Sequence, residues 1–251
     1  MGKTIVFANQ KGGVGKTTTS VNLGSYIAES GKKVLLVDFD PQGNMSSSVN
    51  ADSTKNGIYE VVSGKAQVKD TIQNTVVKNL DILTSNINLS GAGVELVEYK
   101  DWEHFLERSL ATVKDDYDFI FIDSPPSLDV LTLNGLTAAD SVIIPLQCEY
   151  FALEGLSLLL QTIKKVQKNI NSDLKICGIV FTMYDSRTNL ANEVVQEVSG
   201  YFKDKVFKTV IPRNIRLSEA PSHSVPINLY SPQCIGAKSY EKLAQEVLER
   251  V

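Results

Sequence analysis

Lys11-Gly12-Gly13-Val14-Gly15-Lys16-Thr17-Thr18 decides the reading of this chain. An apolar run at 4–8 leads into it, and a helix-like stretch at 18–29 leaves it. Glycines let a backbone turn its amides inward without Cβ clashes. Amides gathered at the mouth of a helix make a site for phosphate oxygens. The loop from Lys11 to Thr18 therefore reads as a phosphate-binding loop: Lys16 as a point charge for the β- and γ-phosphates, Thr17 as a hydroxyl ligand for Mg²⁺. The general pattern is G-x-x-x-x-G-K-[ST], and the departure that matters here is a second lysine, Lys11.

Working outward, short apolar runs alternate with helical patterns. Strands are predicted at 4–8, 34–38, 80–84, 119–123, 141–146, 174–181 and 206–210. Helices are predicted near 18–29, 93–113, 129–138, 152–169, 189–201 and 234–249. Several strand runs lack polar alternation, as parallel strands buried on both faces do. The alternation predicts an α/β fold: a single-domain, doubly wound, mostly parallel sheet flanked by helices, over residues 1–251. In such sheets ligands sit beyond the carboxyl ends of the strands, so functional residues are expected just after each run. Residues 44–78 are the least regular part. They read as a polar excursion at the rim, with a short helix near 57–62.

Two runs end in carboxylates. After 34–38 come Asp38-Phe39-Asp40-Pro41-Gln42-Gly43-Asn44, two acids at spacing two on an extended segment. One can support a magnesium shell; the other can orient or deprotonate an attacking water. Phe119-Ile120-Phe121-Ile122-Asp123 is four apolar residues then Asp, a pattern whose last side chain reaches magnesium, usually through water.

The 251 residues allow one large domain with a substantial core, and 43% hydrophobic with 22% charged residues are globular values. No run approaches the roughly 18 apolar residues of a membrane span. No signal peptide is expected, since the start runs straight into a strand. Cys148, Cys177 and Cys234 are far apart and read as ordinary thiols. The net charge is −4, yet residues 161–216 carry ten Lys/Arg against five Asp/Glu. A basic segment on an acidic chain can serve as a nucleic-acid face.

The K-G-G-V-G-K-T-T string resembles the deviant Walker A motif of the ParA/MinD class of P-loop ATPases. The likeness covers nearly the whole chain and is closest to ParA/Soj-type partition ATPases. It implies ATP and Mg²⁺ as cofactors, held by Lys11, Gly12, Gly13, Val14, Gly15, Lys16, Thr17 and Thr18. It implies Asp40 as the hydrolytic residue, with Lys16 and Lys11 assisting, Asp123 at the metal through water and Asp38 supporting the metal site. Ser124-Pro125-Pro126-Ser127 resembles the family's γ-phosphate-sensing segment. Pro212 and Asn214 match its adenine loop, Arg187 and Arg216 its non-specific DNA contacts. Lys11 matches the lysine that crosses a dimer interface to the partner's nucleotide. Glu149 reads either as an interface group or as a carboxylate at a helix N-terminus. The implied activity is a slow ATPase in chromosome or plasmid partitioning. Its implied partners are double-stranded DNA, a ParB-type protein and a second copy in an ATP-dependent homodimer. The expected location is cytoplasmic and nucleoid-associated, with no membrane partner. A MinD-type division-site ATPase is the alternative, but it needs a basic amphipathic tail, which 246–251 is not. An iron–sulfur carrier would need C-x-x-C, and a ligase or kinase a second-substrate motif; neither is present.

Overall fold

Val34–Asp38 and Phe119–Asp123, each buried along its whole length, lie side by side at the middle of a parallel sheet. The computed structural model describes residues 2–251; Met1 lies outside them. The described residues form seven strands: β1 (Lys3–Phe7), β2 (Val34–Asp38), β3 (Gln73–Asn74), β4 (Leu80–Leu83), β5 (Phe119–Asp123), β6 (Ser141–Gln147) and β7 (Lys175–Thr182). Their order is β3-β4-β2-β5-β1-β6-β7. Every pairing is parallel except the short β3–β4 pair.

Successive side chains on a strand point to opposite faces, and here both faces are covered. Val6, Leu35, Val37, Ile120 and Ile122 point into one core; Ile5, Phe7, Leu36, Phe119 and Phe121 point into the other. The second core is roofed by α1 (Lys16–Glu29) and α2 (Asn44–Ser48). The first core takes α3 (Ile58–Val62), α4 (Val68–Thr71), α5 (Leu89–Glu95), α6 (Phe105–Ala111), α7 (Val130–Ala138), α8 (Ala152–Asn169) and α9 (Asn189–Phe202). The chain then returns to the second core with α10 (Ile215–Glu219), α11 (Ile227–Tyr230) and α12 (Ile235–Arg250). This is the doubly wound arrangement expected.

Pro145 sits in β6 without costing a ladder bond. β6 pairs with β1 only as far as Ile143, so the missing N–H falls past the end of β1. The carbonyl of Pro145 accepts from the Asn9 amide at 2.7 Å, which ties β6 to the loop after β1.

Three expectations need correction. Residues 206–210 form no strand; Val206 makes one isolated parallel bridge to Ile179, and the backbone then runs loosely along β7. The seventh strand is instead Gln73–Asn74, too short and too polar to register as an apolar run. The helix expected at 93–113 is broken. After Leu89–Glu95 come two single-turn 3₁₀ segments, with Asp101 at a left-handed φ of 56°, before Phe105–Ala111. Leu96, Leu106 and Leu110 are all buried, so the apolar spacing was real but was met by separate short pieces. Asn44–Ser48, inside the supposed polar excursion, is helical because Met45 is a fully buried anchor in the second core.

Candidate active site

β1, β2, β5, β6 and β7 all point their carboxyl ends at one edge of the sheet, and the loops leaving them build the cleft. The phosphate-loop segment leaves β1 and turns into α1, with Gly13 at φ 73° and Gly15 at φ 85°. A side chain with Cβ is strained at such angles, so these two positions hold the turn. α1 begins at Lys16, two residues earlier than expected, which puts Lys16 and Thr17 in its first turn. The loop is pinned from behind: the Thr182 hydroxyl at the end of β7 donates to the Val14 carbonyl at 2.8 Å.

Lys16 is 6% exposed, and its ammonium donates to the Lys11 carbonyl at 3.3 Å. Burial lowers its pKa, while the nearby Asp123 and Asp40 carboxylates oppose that shift. Thr17 Oγ1 donates to Asp123 Oδ2 at 2.5 Å. The other carboxylate oxygen, Asp123 Oδ1, is buried without a hydrogen-bond partner. Burial, with the charge of Asp38 beside it, pushes Asp123 up to about 8. A buried carboxylate next to a hydroxyl, with one oxygen unused, is the donor set that suits Mg²⁺, which takes oxygen ligands and keeps several waters.

Asp38 is the direct neighbour of Asp123 across β2 and β5. It is fully buried, and burial pushes it up to about 6. Ser46 holds it, with the backbone N–H donating at 2.8 Å and Oγ at 2.7 Å. Ser46 Oγ in turn accepts from Ser85 N at 3.0 Å. Asp38 thus anchors α2 and the end of β4. Asp40, two residues on, lines the cleft, and its Oδ1 accepts from Gln42 N at 3.0 Å.

Two adjoining cavities share Gly15, Thr18, Met183 and Pro221. One, about 670 Å³, is lined by Gly12, Gly13, Lys16, Thr17, Asp40 and Pro126 among others. Pro126 is the point at which Ser124-Pro125-Pro126-Ser127 reaches this cavity. The other, about 660 Å³, runs past Pro212, Asn214, Ile211, Met183 and Tyr240. Together they can take a triphosphate and a flat apolar base. Asn214 Oδ1 caps α10 by accepting from Arg216 N at 2.9 Å, which leaves its amide nitrogen available as a donor.

Lys11 and Glu149 form an ion pair within the chain, each about half exposed. Arg187 is 86% exposed and bidentate to Asp185, at 2.8 and 2.6 Å. Arg216 pairs with Glu219 at 2.8 Å. The loops carrying these arginines lie side by side: Tyr184 N donates to Ile211 O at 3.0 Å, and Arg213 N to Tyr184 O at 3.1 Å. Among the described residues no group of three or more His, Cys, Asp or Glu side chains could hold a metal ion, and burial pushes the Cys148 and Cys177 thiols up to about 11.

The structure thus brings Lys16, Thr17, Asp40 and Asp123 together, with Asp38 one strand behind. Pro212 and Asn214 form a second compartment, and Arg187 and Arg216 lie outside both. Sequence reasoning missed Ser46, Thr182 and Tyr240. Thr182 closes β7, where the carboxyl-end rule points. Tyr240 in α12 bonds Thr19 in α1 at 3.1 Å and carries no local signal.

The chain matches a family described as an AAA domain over residues 2–176. It is 61% identical over 250 residues to the chromosome-partitioning ATPase Soj of Treponema pallidum (strain Nichols), covering 100% of this chain and 98% of that protein. It is 56% identical over 249 residues to the sporulation initiation inhibitor protein Soj of Bacillus subtilis (strain 168), with 98% of each covered. Among solved structures it is similar to cobyrinic acid a,c-diamide synthase from Mycobacterium smegmatis with bound ADP and magnesium. That likeness has a TM-score of 0.87 at 39% identity, over 99% of this chain and 95% of the other.

Proposed function

The chain belongs to the ParA/Soj family of chromosome-partitioning ATPases, and on that premise we propose how its residues run the cycle. It is an ATPase of the partitioning machinery, with ATP and Mg²⁺ as its cofactors, and it works as one unit over residues 1–251. The observation that carries the site assignment is the meeting of Lys16, Thr17, Asp40 and Asp123 at one cleft, with Asp123 Oδ1 buried and unbonded.

The loop amides of 12–18 and the Lys16 ammonium bind the phosphates. Thr17 and, through water, Asp123 would hold Mg²⁺, which would supply positive charge against the phosphoryl oxygens. Asp38 fixes the strand end that carries this set. Asp40 orients the attacking water and takes its proton as the oxygen bonds to the γ-phosphorus and the bond from that phosphorus to the bridging β-phosphate oxygen breaks, releasing ADP and phosphate. Pro212 and Asn214 hold the adenine. Lys11 leaves Glu149 and reaches the phosphates of a second copy, a cation supplied in trans. The resulting homodimer presents Arg187 and Arg216 twice to the backbone of double-stranded DNA, without sequence preference. A ParB-type partner stimulates hydrolysis and releases it. The location that follows is the cytoplasm, on the nucleoid. Among the described residues no helix is long and apolar enough to cross a membrane. The MinD-type alternative anchors without a span, and sedimentation with liposomes and ATP separates the two readings.

The deciding experiment is DNA binding with no nucleotide, ADP and ATP over a salt series. Binding should require ATP and weaken steeply with salt. Lys11→Ala should abolish the ATP-dependent dimer while the monomer stays folded. Dimerisation and hydrolysis at wild-type levels in that variant would remove the role in trans.

A further inference from the structure

Two neighbouring loops carry three arginines, and they are not equivalent: Arg187 and Arg216 lie outside the nucleotide cavities, whereas Arg213 stands at the edge of the second one. Arg187 is locked to Asp185 by two hydrogen bonds, and Asp185 Oδ1 also accepts from Arg187 N at 3.1 Å. Arg216 is held by Glu219, whose carboxylate also accepts from the Tyr230 hydroxyl at 3.1 Å. Arg213 lies between them in sequence, on the backbone that pairs with Tyr184. It is exposed, and among the described residues its guanidinium has no ion-pair or hydrogen-bond partner. It is near enough to Asp185 to add to the attraction that, led by the Arg187 hydrogen bonds, holds that carboxyl down at about 2.

A guanidinium already bidentate to a carboxylate must exchange it for a phosphate, so the gain is a difference of two similar interactions. A free guanidinium releases counterions from DNA with no such exchange. Arg213 is therefore the cation on this face best placed to meet a phosphate first. Its position across from Asp185 lets it share that carboxylate when Arg187 turns outward. The geometry points to Arg213 as a third backbone-phosphate contact, and to Asp185 and Glu219 as internal competitors that weaken DNA binding by Arg187 and Arg216. This inference rests on the DNA-binding reading above.

Arg213 also lines the base cavity, so the test separates its two possible ligands. ATP affinity is measured by nucleotide titration without DNA. DNA affinity is then measured at saturating ATP, with a short duplex of arbitrary sequence, over a salt series. Arg213→Ala should weaken DNA binding about tenfold or more near physiological salt and make the log–log salt slope shallower by about 0.9 per chain. Arg213→Lys should restore the slope but not all the affinity, since it keeps the charge and loses the fork. Asp185→Asn and Glu219→Gln keep an acceptor for their remaining hydrogen bonds, and each should tighten DNA binding about two- to fivefold, the worth of an exposed ion pair. Arg213→Ala within twofold of wild type with an unchanged slope overturns the inference and leaves the DNA reading standing. So does a loss confined to ATP affinity. Asp185→Asn weakening binding as Arg187→Ala does also overturns it. A wild-type chain that binds no DNA in any nucleotide state removes both.

Discussion

The carboxylates of the cleft and those of the arginine loops are the same chemical group treated in opposite ways. Asp38 and Asp123 are buried beside each other, and desolvation drives them up to about 6 and about 8. Asp185 and Glu219 lie at the surface, and arginine hydrogen bonds hold both low, Asp185 at about 2. In the cleft the protein leaves negative charge under-compensated, with one Asp123 oxygen unbonded. At the loops it compensates the charge completely with its own arginines. On the reading proposed above, the first arrangement takes up a cation from outside and the second keeps its own cations engaged within the chain. Burial makes the difference, because a charge removed from water needs a partner and a surface charge merely prefers one.

The largest effect tests the cleft as a reaction site. Asp40→Ala should lower the Mg²⁺–ATP hydrolysis rate by about 10²–10⁴-fold, the usual worth of a general base, with nucleotide affinity retained. A turnover assay beside a nucleotide titration checks this, and a variant that loses only affinity would move Asp40 from chemistry to binding.

Next comes the pH response of the buried pair without metal. The unfolded chain ionises its aspartates near the ordinary 3.8, whereas folded Asp38 and Asp123 keep their protons to about 6 and about 8. The folded form binds more protons in that window, so stability is greatest at its acid end and declines as pH rises toward 8. Thermal melts from pH 5 to 8 should show Tm falling more for wild type than for Asp123→Asn. Adding Mg²⁺ and nucleotide should close that gap, most strongly at the upper end. A wild-type curve parallel to that of the variant would mean the pair is not strained by its burial.

A smaller effect is expected at the α1–α12 contact. Tyr240→Phe removes the hydrogen bond to buried Thr19 and should cost about 1 kcal/mol, or roughly 2–4 °C in Tm for a chain of this size. The smallest concerns the exposed pairs: Asp185→Asn should leave Tm within error of wild type. A clear loss of stability there would show that the arginine loops depend on the pair for their shape, and would erase the contrast with the cleft.

Much of this was legible in the chain. Residues 34–38 and 119–123 announced strands buried on both faces because no polar residue interrupts either run before the final Asp, and the structure places them at the middle of the sheet. That Lys16, Thr17 and Asp123 would meet at one end of the sheet was legible because each stands in a short segment whose residue types and spacing form a pattern of their own. The break at Asp101 was not, since periodic apolar residues fit one long helix or several short ones equally well. Nor was Ser46. Its spacing from Asp38 says nothing until Met45 is driven into the core and brings the serine round onto the buried carboxylate.

The sequence by itself determined the glycine-rich turn between β1 and α1, the two acidic strand ends, the doubly wound class and the presence of a second lysine. These follow from local geometry: backbone angles only glycine takes easily, and the twofold and 3.6-fold periods of strand and helix. Only the tertiary structure decided which charges meet. It set Asp38 against Asp123 across two strands distant in sequence, Lys11 against Glu149, and Thr182 behind the loop at Val14. Among the described residues it also left the Arg213 guanidinium without an ion-pair or hydrogen-bond partner, between two arginines that have one. Charge and desolvation depend on what lies within a few ångströms in space, and the order of residues along the chain does not carry that information.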